Sequence, residues 1–301
     1  MVLMENQGMS YQIMEVTGSD WDGRQPVEAL TDTLENGGVL YFPALAFTLT
    51  QNELPLLRPG VRAPKSRNIS QPAHGVVKGA VGSPEEMATL SGMMERFRRQ
   101  AVQLVHGLFP RYSAHLRLEP TSYRPTEVVT RPQSWRADDK RLHVDAFPSR
   151  PNRGERILRV FSNINPEHKP RVWRVGEPFE AMAQQFLPLI PGYRAWEAHL
   201  LRGLGITKSL RSEYDHMMLQ LHDHMKRDTA YQTSAPQTVV EFAAGSTWVC
   251  FSDQTLHAVH GGQYMMEQTF FMPPQHQYRP DQSPLGILTR MAGHPLQGAR
   301  L

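Results

Sequence analysis

Short strand-forming segments on either side of one helical stretch constrain the fold of this chain more than any other feature. Five segments are rich in Val, Ile, Phe and Thr, and turn residues bound most of them, at 127–130, 156–163, 238–242, 247–251 and 263–272. Helical periodicity lies between the second and the third, at 177–189, 193–204 and 209–227. Because strands and helices do not alternate, the order argues against a parallel βαβ sheet. It favours an α+β fold, with an antiparallel β core and helices packed outside it.

The rest of the chain fits one unit. Its 301 residues allow one large domain or two small ones, and we interpret residues 1–301 as a single domain with a helical insert at 177–227. Residues 1–25 are predicted to be irregular, 26–35 a short helix, 39–42 a buried strand and 58–82 a long loop. The clearest helix begins after Ser83, because Ser83-Pro84-Glu85-Glu86 is a capping box with Pro at the first helical position.

Cysteine usage and hydropathy exclude several classes of protein. The single cysteine, Cys250, rules out an internal disulfide framework and a cysteine-based zinc or iron–sulfur site. No window approaches the roughly 18 consecutive apolar residues of a membrane span. The N-terminus lacks the apolar region of a secretory signal. We therefore expect a cytoplasmic protein.

The basic residues are mostly arginine. The net charge is only +3, but 26 of the 32 basic residues are Arg, and twelve of these lie between Arg111 and Arg174. Arg presents a flat, bidentate fork to carboxylates and phosphates, so the cluster indicates anionic ligands. A coding bias toward Arg on a solvated surface is the alternative. The cluster is not a continuous basic run and no DNA- or RNA-binding motif accompanies it, so nucleic acid is not expected as a partner.

One constellation indicates metal chemistry. His143 and Asp145 are two residues apart in an extended segment, so their side chains share a face. A distant histidine would complete a facial triad of two histidines and one carboxylate, the usual cage for non-haem Fe(II). The candidates are His257 and His260, which follow the strand at 247–251. We favour His257, because its small, apolar neighbours give the fixed packing that a ligand needs, whereas His260 precedes a Gly-Gly turn.

Other histidines resemble ligands but sit badly for chelation. The pairs Asp215-His216 and His222-Asp223-His224 lie in the predicted helix 209–227. On a helix, His222 and His224 face different directions. We interpret this cluster as polar residues of a surface or of a substrate-facing helix.

An iron oxygenase of this type uses 2-oxoglutarate, whose distal carboxylate needs a cation. Many such enzymes have an Arg about ten residues after the distal histidine, but that position here reads Glu267-Gln268-Thr269. On the strand 156–163, alternation puts Arg159 and Asn163 on one face. We therefore predict Arg159 as the partner of the carboxylate, with Asn163 and Thr269 as hydrogen-bonding neighbours. An ion pair of Arg159 with Glu267, or a role for Arg156 instead, is the alternative.

Several long strings make the chain resemble a known family, the Kdo 3-hydroxylases of Gram-negative bacteria, over most of residues 36–275. The strings that carry the resemblance are Ser122-Tyr123-Arg124-Pro125, Ser134-Trp135-Arg136, the run from Arg141 to Pro151 that includes His143-Val144-Asp145, Arg156-Ile157-Leu158-Arg159-Val160-Phe161, Tyr214-Asp215, Leu221-His222-Asp223, Met225-Lys226, His257 and Gly262-Gln263-Tyr264.

The resemblance implies a specific enzyme. It would be an Fe(II)/2-oxoglutarate-dependent dioxygenase with a double-stranded β-helix (jelly-roll) core flanked by helices. It would use O₂ to hydroxylate C3 of 3-deoxy-D-manno-oct-2-ulosonic acid (Kdo) on Kdo-lipid A, giving Ko. The iron ligands would be His143, Asp145 and His257. The reaction would take place at the cytoplasmic face of the inner membrane, with peripheral contact between the protein and the membrane. The oligomeric state stays open.

The sugar carboxylate requires a further set of residues. We predict Arg124, Arg136 and Arg150 as its holders, because they lie in the family-like strings, and Tyr123 and Trp135 as flat walls for the sugar ring. If these do not hold the sugar, the loop 58–82, with Arg62, Lys65 and Arg67, or the helix with Tyr214 and His222, is the next candidate. The competing functions are another jelly-roll 2-oxoglutarate oxygenase, such as a protein hydroxylase, and a non-catalytic, cupin-like sugar-binding protein.

Overall fold

Two antiparallel-rich sheets form the centre of the molecule in the computed structural model, which describes residues 13–23, 27–128 and 134–296. The strands in these residues are β1 Ile13–Glu15, β2 Val39–Phe42, β3 Ile69–Gln71, β4 Arg117–Leu118, β5 Thr121–Arg124, β6 Arg156–Asn163, β7 Arg171–Gly176, β8 Gln237–Phe242, β9 Thr247–Phe251, β10 His257–Gly261 and β11 Met265–Met272. The α-helices are α1 Val27–Glu35, α2 Pro84–Leu108, α3 Phe179–Phe186, α4 Ala195–Gly203, α5 Glu213–Arg227, α6 Thr229–Ser234 and α7 Pro284–Ala292.

The larger sheet has the strand order β1-β2-β9-β6-β11-β5-β3, with β4 also paired to β11, and the smaller sheet has the order β10-β7-β8. All neighbouring strands are antiparallel except the β1–β2 pair. The helices pack outside these sheets, so the predicted α+β class is confirmed.

Helix α2 covers the outer face of the larger sheet. Its start is as predicted: the Ser83 hydroxyl accepts a hydrogen bond from the Glu86 amide (3.2 Å), and the Ser83 amide donates to the Glu86 carboxylate (2.9 Å). Phe97 and Val105 of this helix share one apolar core with Leu158 of β6. This core fixes one face of β6 and leaves the other for the site.

Helices α3 to α6 lie between β7 and β8 in the sequence, although these two strands pair directly. They form a second core with the segments that flank the metal-ligand candidates, in which Leu142, Val144 and Leu256 pack against Phe179 and Leu221. The helices therefore support those segments from behind. None of the helices in the described residues is long and apolar enough to cross a bilayer.

The predicted strands at 39–42, 156–163 and 247–251 are confirmed, and those at 238–242 and 263–272 are confirmed with ends displaced by one or two residues. The strand prediction at 127–130 is wrong where it can be examined, because Glu127 and Val128 lie outside any strand; residues 129–130 are outside the described residues. Glu127 instead accepts a hydrogen bond from the Gly262 amide.

Sequence reasoning missed six strands and two helices of the described residues, which are β1, β3, β4, β5, β7, β10, α6 and α7. Strand β7 carries Arg171 and Arg174 on opposite faces and β5 contains a single apolar side chain, Tyr123, so neither shows a clear apolar alternation, and α7 follows a segment rich in Pro. Strand β1 lies in the region 1–25 that was expected to be irregular; residues 1–12 and 24–25 of that region, and Pro26 of the predicted helix 26–35, lie outside the described residues.

Candidate metal centre

A pair of reciprocal backbone hydrogen bonds brings His143 and His257 together. The His143 amide donates to the His257 carbonyl (3.0 Å), and the His257 amide donates to the His143 carbonyl (2.9 Å). This is the hydrogen-bonded pair of an antiparallel ladder, and it places the two imidazole ring centres 4.5 Å apart. The long separation in sequence is thus closed by two residues that face each other at the start of β10.

Asp145 completes the cluster from the same extended segment. Its amide donates to the Ser252 carbonyl (2.8 Å), which holds the segment against the turn after β9. One ligand atom each from His143, Asp145 and His257 lies within 4.8 Å of the other two. His260, by contrast, is exposed on β10 and outside this cluster.

Both histidines are held in the tautomer that a metal needs. Nδ1 of His143 lies 2.7 Å from the Arg141 carbonyl, and Nδ1 of His257 lies 2.8 Å from the Thr255 carbonyl. A backbone carbonyl can only accept, so each Nδ1 carries the proton and each Nε2 keeps its lone pair for a ligand bond. Burial lowers the pKa of both imidazoles, and that of His143 falls well below its usual value. The neutral, metal-binding form is therefore the stable one.

The carboxylate of Asp145 belongs to a chain of buried charges. Its Oδ2 lies 2.8 Å from Nη2 of Arg159, although the pair is not aligned as a hydrogen bond. Nη1 of Arg159 contacts Glu267 (3.0 Å), and Glu267 also contacts Arg124 (2.9 Å). Burial would raise the pKa of Asp145, but Arg159 and the two histidines together hold it below its usual value.

This donor set suits a divalent transition metal, and Fe(II) in particular. Two neutral imidazoles and one ionised carboxylate form the facial arrangement of non-haem iron sites. Neither Nε2 atom has a hydrogen-bond partner among the described residues, and the guanidinium of Arg159 orients the Asp145 carboxylate. The residues therefore fit the ion that the sequence predicts.

The cluster opens into a cavity of about 560 Å³ between the two sheets. Seven of its lining side chains are Arg or Lys and five are Asp or Glu, so the cavity is positive before any metal binds. The basic ones are Arg62, Lys65, Arg67, Arg124, Lys140, Arg159 and Arg171. Such a lining favours an anionic ligand.

Arg171, on β7, is a buried arginine of the cavity lining that sequence reasoning did not single out. It is buried, its Nη1 donates to the Gly262 carbonyl (2.7 Å), and its Nε has no partner. No carboxylate of the described residues lies within ion-pair distance of it. Burial, with Arg124 nearby, lowers its pKa. The alternation Arg171, Trp173, Val175 could have indicated a strand with an inward Arg.

The predicted cosubstrate residues have different positions. Arg159 lines the cavity, but both of its terminal nitrogens already contact carboxylates. Asn163 does not line the cavity, since its amide donates to the Lys169 and Phe242 carbonyls. Thr269 donates to Glu267. Arg156 is fully buried on the opposite face of β6, where it pairs with Asp253.

The predicted sugar-binding residues are similarly divided. Arg124 lines the cavity, and Arg136 stacks on Trp135 and pairs with Asp223 outside it. Arg150 is exposed beyond the cavity lining. The prediction of Tyr123 as a wall for the sugar ring is wrong. Its side chain lies on the face of β5 opposite to Arg124, is 0% exposed, and donates its hydroxyl hydrogen bond to the Leu56 carbonyl.

Asp215, His216 and His222 of α5 are buried, so the interpretation of the cluster as a surface is wrong for these three, whereas Asp223 and His224 are half-buried; none of the five lines the cavity. Asp215 caps its own helix through Ser212 and accepts from the Arg153 amide, and His216 lies 2.7 Å from the Pro191 carbonyl. The His222 ring meets His143 edge-on, with centres 5.9 Å apart. His222 therefore packs behind a metal-ligand candidate and does not join it in chelation.

Comparison with known proteins gives one family. A family model described as 3-deoxy-D-manno-oct-2-ulosonic acid (Kdo) hydroxylase matches residues 20–295. A search of curated proteins found no match. Solved structures of the Kdo hydroxylase KdoO, a non-heme Fe(II) alphaketoglutarate dependent dioxygenase, are similar to this chain. The apo form is 42% identical, with a TM-score of 0.91, over 96% of this chain and 100% of that one.

The ligand-bound forms of KdoO match equally well. The complex with alphaketoglutarate and Fe(III) is 42% identical, with a TM-score of 0.89, over 96% of this chain and 100% of that one. The cobalt(II) complex is 42% identical, with a TM-score of 0.91, over 96% and 98%.

Proposed function

The chain belongs to the Kdo hydroxylase family, and we propose that it hydroxylates Kdo with Fe(II), 2-oxoglutarate and O₂. It is an Fe(II)/2-oxoglutarate-dependent dioxygenase. In the balanced reaction, Kdo, 2-oxoglutarate and O₂ give hydroxylated Kdo, succinate and CO₂. The observation that carries the proposal is the triad of His143, Asp145 and His257 at the floor of a cationic cavity.

The residues of the chain prepare the iron site. When bound, Fe(II) supplies the oxygen chemistry that couples loss of CO₂ to hydroxylation. The carbonyls of Arg141 and Thr255 orient the two imidazoles, and Arg159 orients Asp145 and keeps it ionised. Trp173 lies against His257, with ring centres 5.1 Å apart, and restricts its motion. These contacts fix the three donors before a metal arrives.

We propose that 2-oxoglutarate places its distal carboxylate on Arg171. Arg159, the sequence-based choice with Asn163 and Thr269 as neighbours, would first have to leave Asp145 or Glu267. Arg171 needs no such exchange, because it is buried in the same cavity without a carboxylate. A buried guanidinium without a counter-charge gains most from an anion.

The sugar acid is proposed to bind nearer the cavity mouth. Arg62, Lys65 and Arg67 of the loop 58–82 line this region together with Lys140. Arg67 is loosely paired with Asp139, at 3.8 Å, and its side chain is 76% exposed. Arg124 lines the same cavity, whereas Arg136 stacks on Trp135 outside the lining. Arg124, Arg136, Trp135 and Arg150 remain proposed contacts of the sugar acid.

Membership of the Kdo hydroxylase family also supports proposals on the sheet topology, the substrate and the place of the reaction. We propose that the two sheets form a double-stranded β-helix (jelly-roll). In this arrangement the segment around His143 acts as a further strand beside β10. The whole of 1–301 is proposed to be one domain that carries a helical insert at 177–227. The substrate is proposed to be Kdo-lipid A, hydroxylated at C3 to give Ko. The reaction would occur in the cytoplasm, at the inner face of the inner membrane.

Turnover with a labelled substrate tests the function. We expect the protein with Fe(II) and 2-oxoglutarate to form succinate and to add one oxygen to the Kdo of Kdo-lipid A, as seen by mass spectrometry. Substrate deuterated at C3 should lose one deuterium. His260→Ala serves as the active control and Asp145→Ala as the inactive one. Succinate formed with a peptide but not with Kdo-lipid A would indicate a protein hydroxylase. Binding of Kdo without succinate would indicate a cupin-like sugar-binding protein.

A further inference from the structure

Exposed apolar side chains are concentrated in one short segment. Five of the eleven large hydrophobic side chains that are exposed in the described residues lie within residues 189–206. They are Leu189, Trp196, Leu200, Leu204 and Ile206, which are between 52% and 64% exposed. Single exposed apolar residues are ordinary, but a contiguous group marks an interaction surface.

Helix α4 gathers three of them on one side. Trp196 and Leu200 of α4 and Leu204, the residue that caps its C-terminus, follow each other at intervals of four residues, so they lie on one side of the helix. Ala198 is the only residue of α4 that is buried, which shows that the opposite side rests on the protein. The apolar face is therefore directed outward, with no described residue covering it.

The charges around this face are positive. Residues 189–211 contain four basic residues, Arg194, Arg202, Lys208 and Arg211, and one acidic residue, Glu197. Glu197 is paired with Arg194 at 3.3 Å. Apolar side chains that include Trp, interspersed with Arg and Lys, match the boundary of a bilayer with anionic headgroups. A symmetric contact with a second copy would instead bring two such basic segments together in one interface.

The face is joined to the mouth of the cavity. The Lys208 amide donates to the Ser149 carbonyl (2.9 Å), and the Arg211 guanidinium donates to the Pro148 carbonyl (2.9 Å). The next residue back, Phe147, lines the cavity and is 37% exposed. The segment and the cavity rim therefore form one continuous edge of the molecule.

We infer that the face formed by Leu189, Trp196, Leu200, Leu204 and Ile206 docks on an anionic lipid bilayer and presents the cavity to a sugar at its surface. This use of the face rests on the proposed function, since it is a lipid-linked sugar that makes docking necessary. The acyl chains stay in the bilayer while the sugar acid enters beside Phe147.

Vesicle binding tests the docking face without any substrate. The protein should sediment with vesicles of phosphatidylcholine and phosphatidylglycerol, and much less with phosphatidylcholine alone or at high salt. The emission of Trp196 should shift to shorter wavelength on binding. Trp196→Ser/Leu200→Ser/Leu204→Ser should weaken binding at least roughly tenfold, because each apolar side chain contributes on the order of a tenfold gain when buried. Leu118→Ser/Val239→Ser, which removes exposed apolar groups elsewhere, is the matched control and should bind as the parent does.

Three results would overturn the inference. They are an absence of vesicle binding by the parent, an equal loss in the control, and a parent dimer that the triple variant converts to monomers without any vesicle binding. Substrate form separates this inference from the proposed function. The triple variant should hydroxylate a lipid-free Kdo saccharide at the parent rate and lose activity on Kdo-lipid A in vesicles. A parent that binds vesicles but hydroxylates neither substrate would refute the function and leave the docking face standing.

Discussion

Replacing Arg171 by Gln should remove most of the affinity for 2-oxoglutarate. Arg171 is a buried cation of the cavity that lies beyond ion-pair distance of every described carboxylate, and its Nε has no partner. A hydrogen bond to a charged group contributes about 1.5–3 kcal/mol. Arg171→Gln should therefore raise the Kd for 2-oxoglutarate by about 10- to 150-fold at 25 °C.

The measurement is calorimetric titration of 2-oxoglutarate into protein loaded with Co(II), in the absence of the sugar. Arg174→Gln is the matched control, because Arg174 lies on the same strand but donates to the Lys140 carbonyl (2.8 Å) and does not line the cavity. The Co(II) affinity of each variant, measured separately, shows whether the iron site is intact. We expect it to be unchanged in both.

Arg159→Lys distinguishes the two assignments. It keeps the charge but loses the fork, and because Arg159 contacts Asp145 we expect it to weaken Co(II) binding first. The reasoning is refuted if Arg171→Gln binds 2-oxoglutarate like the parent while Arg159→Lys weakens it at unchanged Co(II) affinity. In that case Arg159 holds the distal carboxylate, and the KM for 2-oxoglutarate rises more than that for the lipid.

Three further outcomes are expected. His257→Ala should lower the affinity for Co(II) by more than about a hundredfold, since even the loss of a residue that only supports a ligand costs 10- to 100-fold. His260→Ala should leave the affinity unchanged, and competition with a chelator measures both. If His260→Ala loses affinity and His257→Ala does not, His260 is the third ligand. Glu267→Gln should lower the free energy of unfolding at pH 7 by about 1–3 kcal/mol, because it removes the negative charge that Arg159 and Arg124 share. Burial would raise the pKa of Glu267, but Arg159 and Arg124 hold it below its usual value. The stabilisation by the ionised carboxylate is therefore complete above pH 4.5 and is lost as the pH falls below 4.5 towards the lowered pKa. The difference in free energy of unfolding between variant and parent, measured by urea titration, should narrow over that range, and a constant difference would contradict the argument. Arg67→Ala should lower kcat/KM for Kdo-lipid A severalfold and weaken its salt dependence, whereas an unchanged salt dependence would remove Arg67 from the substrate path.

The metal centre could be predicted because its pattern is local. His143 and Asp145 share a face in any extended segment, and the apolar surroundings of His257 follow directly from its neighbours in the sequence. The pairing of His143 with His257 could not be read from the sequence, since it depends on two backbone hydrogen bonds between distant segments. The prediction therefore named the three side chains that cluster in the structure, but not the contact that joins them.

The proposed anion site was harder to predict, because charge patterns do not reveal which side of a strand faces a cavity. Arg171 and Arg174 are three residues apart on β7, so they point to opposite faces, and each could have been the inward one. Tyr123 and Arg124 pose the same ambiguity on β5: the structure buries Tyr123 in the core and turns Arg124 to the cavity. One register choice decides both assignments.

The cavity arginines differ in exposure, and under the proposed function this difference would let one site take two different anions. The Arg67 side chain at the mouth is 76% exposed, that of Arg124 is 34% exposed, and Arg171 as a whole is only 4% exposed. An exposed cation is screened by water, so it attracts a ligand without holding it tightly. A buried cation without a counter-charge binds strongly but only a ligand small enough to reach it. Under the proposed assignment, a slender diacid would reach Arg171, whereas a sugar acid attached to a lipid would be held at the mouth, and the depth of each arginine would separate cosubstrate from substrate within one positive cavity.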